Sequence, residues 1–272
     1  MRKYRVRKIK IGENKLKLLI ATPKNKKDIS DTPGVLWIHG GGYATGMAEM
    51  FYFTRAKALV KKYGAVVIWP NYRLSFKHPY PAALEDCYEA LKYLKDHASE
   101  LGFNKNKIFV GGESAGGGLT VALCMYARDK KEVNIAYQMP LYPMIDYRDT
   151  ESSRDNHAPI WNTKRNHAAW KMYLKGVDTS SVPVYASPSL ETDYKDLPPC
   201  YTFVGDIEPY YQETISYINN LKEANIEANV DVYKNWFHAY DMFFPFSKKG
   251  KIAIEKFEKE FECAIKNYSN YN

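Results

Sequence analysis

The stretch Ile108-Phe109-Val110-Gly111-Gly112-Glu113-Ser114-Ala115-Gly116-Gly117 decides how this chain folds. Residues 108–110 are a short apolar run with β-branched ends, which reads as a buried strand. Glycines two before and two after Ser114 allow a tight strand-to-helix turn that side chains would obstruct. Residues 115–128 then read as a small-residue helix. The Ser114 hydroxyl is thereby set above the strand end, at a helix N-terminus whose dipole favours developing negative charge. A glycine turn with an incidental serine, or a phosphate cradle, would share this short pattern. The G-x-x-x-x-G-K-[ST] sequence of a P-loop is not present.

Outward from this turn the chain alternates. Residues 35–38 and 65–69 read as short buried strands, 51–63 as a helix, and 81–101 as one long helix carrying Leu84, Tyr88, Leu91 and Leu94. A strand at 135–139 follows the central turn. Strand 201–204, helix 210–224, strand 229–233 and helix 249–267 close the chain. Continuous apolar strands alternating with helices imply a mostly parallel central sheet with helices on both faces. Before the alternation, residues 4–11 and 15–21 read as a hairpin turning at 12–14, and 23–33 as a polar loop. Residues 146–199 interrupt the pattern with one helical stretch at 163–175. We expect one α/β domain over residues 1–272 with a small cap-like insertion at about 146–199.

Composition narrows the function classes. At 272 residues, 45% hydrophobic and 26% charged, the chain can build a large core. No apolar run approaches the ~20 residues of a membrane span. The basic N-terminus lacks the apolar segment of a secretory signal, so a cytoplasmic enzyme is expected. The net charge of +8 is local: residues 1–30 carry 11 Lys or Arg against Glu13 and Asp28, leaving the rest near neutral. A lysine-rich, solvated strand pair explains that arm, and no nucleic-acid partner is expected, because no recognition motif accompanies it. An arm that tethers the protein to an acidic polymer is the sharper alternative. Cys87, Cys124, Cys200 and Cys263 form no C-x-x-C pair, and the six histidines show no ligand spacing. Reduced thiols, no metal and no cofactor are the expectation. Nothing here sets the oligomeric state, and a homodimer is compatible with it.

The second motif is His39-Gly40-Gly41-Gly42-Tyr43, directly after strand 35–38. Consecutive glycines expose backbone N–H groups, which acyl transfer needs wherever a carbonyl oxygen becomes an oxyanion. With Tyr72-Arg73-Leu74, His78-Pro79-Tyr80-Pro81-Ala82-Ala83-Leu84-Glu85-Asp86, Gly112 to Gly117, Tyr185-Ala186-Ser187-Pro188, Leu197-Pro198-Pro199 and Phe237-His238-Ala239-Tyr240-Asp241, the chain resembles the hormone-sensitive-lipase-like esterases of the α/β-hydrolase superfamily. The resemblance covers roughly residues 34–245. It implies the α/β-hydrolase fold and cofactor-free hydrolysis of a small-molecule carboxylic ester through an acyl-enzyme.

A serine hydroxyl needs a base, and the base an orienting acid, here in the order Ser, acid, His. His238 is the base candidate, the only histidine after residue 167. For the acid, Glu208-Pro209 stands where the family carries Asp-Pro, and Asp206 is the alternative, since both would point alike if the segment were extended. Oxyanion donors would be the N–H groups of Gly41, Gly42 and Ala115, with His39, Gly40, Gly112 and Gly116 as supporting motif residues. Because His238 must be neutral to accept a proton, kcat/KM should fall at low pH. Tyr43, Trp161, Trp170, Phe237 and Tyr240 are candidate pocket walls, although an aromatic-rich chain places several aromatics in any segment. The family builds part of its cap from an N-terminal extension, and only 38 residues precede His39. A small cap, an open mouth, no apolar lid and short acyl groups, acetyl to butyryl, are expected. An amide-cleaving hydrolase on the same fold, or a non-catalytic binding protein that retains it, would share much of this pattern.

Overall fold

A computed structural model describes residues 4–24 and 29–269. The first three residues of the basic arm and residues 25–28 of the polar loop lie outside the described set. Eight strands form one sheet: β1 (Tyr4–Ile11), β2 (Leu16–Pro23), β3 (Gly34–Ile38), β4 (Val66–Pro70), β5 (Ile108–Glu113), β6 (Tyr137–Leu141), β7 (Cys200–Gly205) and β8 (Ala228–Tyr233). Their spatial order is β1-β2-β4-β3-β5-β6-β7-β8. The β1–β2 and β2–β4 pairs are antiparallel, and every pair from β4 to β8 is parallel. This is the mostly parallel central sheet that the sequence pattern implies.

Strand alternation sorts side chains to two faces. Leu36, Ile38, Ile68 and Val110 join α2 (Ala82–Asp96) and α4 (Ala115–Lys130) in one core. Val35, Trp37, Trp69 and Phe109 join α1 (Ala56–Tyr63) and α8 (Lys248–Asn267) in the other. On α8 the buried residues Ala253, Phe257, Phe261 and Ala264 recur at three- and four-residue steps, the stripe a sheet-covering helix requires. β1 forms the sheet edge, and its cations find partners on the body, Arg7 with Glu100 and Lys8 with Glu49. Among the described residues no helix is long and apolar enough to cross a membrane.

Two expected helices are broken. The 51–63 stretch is a 3-10 turn (Ala48–Phe53) followed by α1, because Thr54 is extended. The long helix of 81–101 stops at Asp96 and resumes as α3 (Ala98–Leu101). His97 between them folds its ring onto Tyr93, with Nδ1 2.9 Å from the Tyr93 carbonyl oxygen. Between β6 and β7, α5 (Thr163–Tyr173) is the one α-helix of residues 146–199. Its Ala169, Trp170 and Tyr173 pack with Tyr43, which lies in the loop after β3.

Candidate active site

Ser114 is the single residue between β5 and α4, so it must turn the chain from strand to helix by itself. Its backbone takes φ 58° and ψ −120°, a strained conformation that costs on the order of 1–3 kcal/mol. The surroundings hold it there. Its N–H donates to the Leu141 carbonyl at 3.0 Å, and its carbonyl accepts from Gly118 and Met144 at 2.9 and 3.1 Å. A Cβ on Gly116 would lie 2.2 Å from the Ile38 carbonyl oxygen. Only glycine lets the start of α4 press against the end of β3, next to the glycine loop at 40–42.

His238 follows β8 in a loop, and its Nε2 lies 2.8 Å from Ser114 Oγ, placed to accept the hydroxyl proton. Its Nδ1 is hydrogen-bonded to Glu208 Oε2. The second carboxylate oxygen of Glu208 accepts the Gly205 N–H at 2.8 Å, so both oxygens of this buried acid are engaged. Glu208 precedes α6 (Tyr211–Glu223), whose N-terminal dipole favours a carboxylate. Asp206 is elsewhere: Oδ1 accepts the Asn235 N–H at 2.6 Å, tying the end of β7 to the turn after β8. The two acids diverge because residues 206–210 turn instead of running extended. Tyr142 and Tyr210 each meet the imidazole edge-on, with centroids 5.0 Å away.

The glycine loop wraps around His39. That ring is buried, stacks on Tyr72 at 4.1 Å, and donates from Nδ1 to the Gly40 carbonyl at 2.8 Å. Burial pushes its pKa down to about 4, so it is a neutral pillar at physiological pH. Gly41 and Gly42 have φ of 117° and 58°, values open chiefly to glycine. The Gly41 carbonyl accepts from Ala44 and Thr45, and no main-chain turn bond among the described residues takes the Gly41 or Gly42 N–H. Ala115, at the first position of α4, has an N–H with no partner in its own helix. Gly40 brings this loop to the Ser114 turn, since a Cβ there would meet the Glu113 carbonyl oxygen at 2.8 Å.

A family model described as the α/β hydrolase fold matches residues 35–242. The chain belongs to that family, in its hormone-sensitive-lipase-like branch. Esterase LipI of Mycobacterium tuberculosis is 30% identical over 220 residues, 80% of this chain and 68% of that protein. The arylesterase of Saccharolobus solfataricus is 28% identical over 224 residues, 80% of this chain and 71% of its own. Among solved structures, a bacterial heroin esterase superposes with a TM-score of 0.88 at 30% identity, covering 97% of this chain and 83% of that one. An esterase of Pyrobaculum calidifontis gives 0.85 at 29% identity, covering 93% and 83%. The chain is a carboxylic ester hydrolase of this fold.

Within this hydrolase the expected pocket walls separate. Tyr43 is buried, stacked on Tyr173 at 3.9 Å, and its hydroxyl donates to the Met144 carbonyl at 2.7 Å, so it braces the loop instead of lining a wall. Trp170 is likewise buried between Tyr43 and Tyr173. Trp161 stands beside the site: its ring is 6.1 Å from that of His238, and a Cβ on Gly42 would meet it at 2.6 Å. Phe237 and Tyr240 are half-buried and pack on each other and on Phe244. Just beyond them Phe243, Phe244 and Phe246 are exposed, Phe246 by 87%. This apolar surface near His238 is at odds with the expectation that no lid-like stretch exists. Sequence alone does not say which aromatics of residues 237–246 find cover.

Sequence reasoning passed over Arg55, Tyr142, Tyr210 and Asp241 and assigned no role to Glu113. The signal for Glu113 and Asp241 was their position, one residue before the serine and three after the histidine. Glu113 is buried and accepts from Trp37 Nε1 at 2.8 Å. Burial pushes its pKa up to about 7, against Arg55 and Trp37, which favour the charged form. A carboxyl held above its unfolded value contributes stability at low pH that is lost as pH rises through about 7. Relative to wild type, Glu113→Gln should therefore gain stability on going from about pH 5 to about pH 8, on the order of 2 kcal/mol. Thermal melts of both proteins at the two pH values check this. A constant difference would mean that Glu113 does not titrate in this window.

Proposed function

We propose that this hydrolase cleaves short-chain esters, acetyl to butyryl, through a Ser114-His238-Glu208 triad and an acyl-enzyme. The observation that carries the reading is the continuous hydrogen-bonded chain from Ser114 Oγ through both imidazole nitrogens to Glu208. His238 takes the hydroxyl proton as Ser114 attacks the ester carbonyl. The N–H groups of Gly41, Gly42 and Ala115 receive the developing oxyanion, and such donors contribute about 3–4 kcal/mol each to the transition state. Glu208 holds the imidazole in the tautomer with Nδ1–H and stabilises the imidazolium. The imidazolium then protonates the leaving alcohol, and water attacks the acyl-enzyme by the same route.

The short-acyl preference rests on Trp161, which lies against Gly42 and near His238. In this reading residues 146–199 act as a cap that lowers an indole over the reacting carbonyl. The test is hydrolysis of p-nitrophenyl esters from acetate to dodecanoate, with the matched acetanilide alongside. Rates that peak at acetate to butyrate support the reading. A peak at octanoate or beyond refutes the chain-length limit, and faster anilide cleavage refutes ester preference. Trp161→Ala should raise kcat/KM on octanoate relative to acetate by about tenfold, as lost packing against longer chains is relieved. An unchanged ratio would remove Trp161 as the limit.

A further inference from the structure

Ser114 and His238 come from segments 124 residues apart, and the site works only if they stay in register. Glu208 holds the imidazole from one side. On the α1/α8 face of the sheet, a second set of contacts grips the same two segments. Arg55, in the break before α1, is buried with its guanidinium between the rings of Phe203 and Phe257, 5.3 and 5.1 Å from their centroids. Its Nη2 is paired with Asp241, in the short helix α7 (Tyr240–Phe243) that follows His238. Its Nη1 lies 3.6 Å from Glu113 Oε1, on the residue before Ser114. One planar fork therefore reaches both flanking segments.

We propose that Arg55 is a positioning residue for ester hydrolysis, holding through Glu113 and Asp241 the segments that carry Ser114 and His238. The proposal rests on the triad reading above. Three ionisable groups in a dry site are a poor way to gain stability, since apolar groups of the same volume often serve as well or better. A fork does give direction: Nη2 is hydrogen-bonded to Asp241 while Nη1 faces Glu113 Oε1 at ion-pair distance, beyond hydrogen-bond reach, and the flanking rings fix the plane. A lysine ammonium, one point charge on a flexible stem, cannot address both acids in this geometry. The gain is in alignment, because misplacing reacting groups by about 1 Å can slow a reaction roughly a hundredfold.

The cluster also leaves an electrostatic mark. The imidazole is faced by Ser114, Glu208, Tyr142 and Tyr210. Tyr142 in turn lies among Asp241, Arg55 and Glu113, and Tyr233 faces Asp241 and Arg55. Removing the Asp241 charge makes the potential at His238 more positive and disfavours imidazolium. The acid limb of kcat/KM should then move to lower pH.

The test uses the full chain with p-nitrophenyl acetate, each variant assayed well below its own Tm. Asp241→Asn and Arg55→Lys should lower kcat by about 10- to 100-fold with KM within about threefold. Asp241→Asn should also shift the acid limb. Wild-type kcat and an unmoved limb, with only a lower Tm, would overturn the proposal and leave the cluster a structural element. If both variants fail to fold, Glu113→Gln decides. It keeps its volume and an acceptor for Trp37, and a thermal melt at the assay pH shows it folded where kcat is read, so a several-fold loss of kcat there does not come from unfolding. Unchanged kcat in that variant would overturn the proposal. Ser114→Ala run in parallel separates the two readings. Activity surviving that change would sink the triad itself, whereas its loss beside normal Asp241→Asn turnover would sink only the role of Arg55.

Discussion

Ser114→Ala is expected to lower kcat on p-nitrophenyl acetate by about 10⁴- to 10⁶-fold without loss of fold. The hydroxyl is the one atom group that His238 Nε2 meets at 2.8 Å, so its removal leaves the base nothing to activate on the protein. The oxyanion donors remain, and some residual rate over water should survive through them. Stability should hold or rise. Ser114 carries a strained backbone for either side chain, and alanine buries no polar group at a site 7% exposed. Steady-state rates, with thermal melts of both proteins, make the check. A loss of less than about tenfold would mean that another nucleophile or direct water attack carries the reaction.

Glu208→Gln is expected to lower kcat by about 10³- to 10⁴-fold, while Asp206→Asn changes it by less than about threefold. The reason is tautomeric. A glutamine at 208 would keep its carbonyl oxygen on the Gly205 N–H, which now meets Glu208 Oε1 at 2.8 Å. Its amide group would then face His238 Nδ1 as a donor. The imidazole would have to place its proton on Nε2, which could no longer accept from Ser114. Asparagine at 206 retains the acceptor for the Asn235 N–H, so the β7–β8 tie survives. The two variants compared by kcat identify the acid. Equal losses, or a larger loss at 206, would reverse the assignment and imply that the 206–210 turn rearranges in solution.

Much of this was legible in the residues. Short apolar runs alternating with helical stretches imply a parallel sheet because only strands buried on both faces lack polar positions. Glycines at 112 and 116 around Ser114 and at 40–42 after His39 marked the tight strand-to-helix turn and the loop beside it, since backbone that approaches backbone closely has no room for Cβ. What was not legible depended on direction. Whether Glu208 or Asp206 faces His238 turned on whether five residues run extended or curl, and local pattern does not decide that. Tyr43 and Trp170 looked like pocket aromatics and are core, because α5 lies over the loop after β3. Phe243, Phe244 and Phe246 stand in solvent where no apolar lid was expected, since pattern alone does not say which aromatics find cover.

The sequence by itself therefore determined the parallel α/β sheet, through periodicity, and the tight turn at Ser114 and the loop at 40–42, through glycines whose absence of a side chain has a local cause, while ester hydrolysis was what the resemblance carried by those motifs implied. Only the tertiary structure decided which carboxylate completes the hydrogen-bonded chain, and that Arg55 reaches from before α1 to the residues beside both reacting groups. Those contacts join positions 30 to 186 residues apart in the chain. A short sequence motif cannot encode them, because the distance between such groups is set by how the strands and helices between them pack.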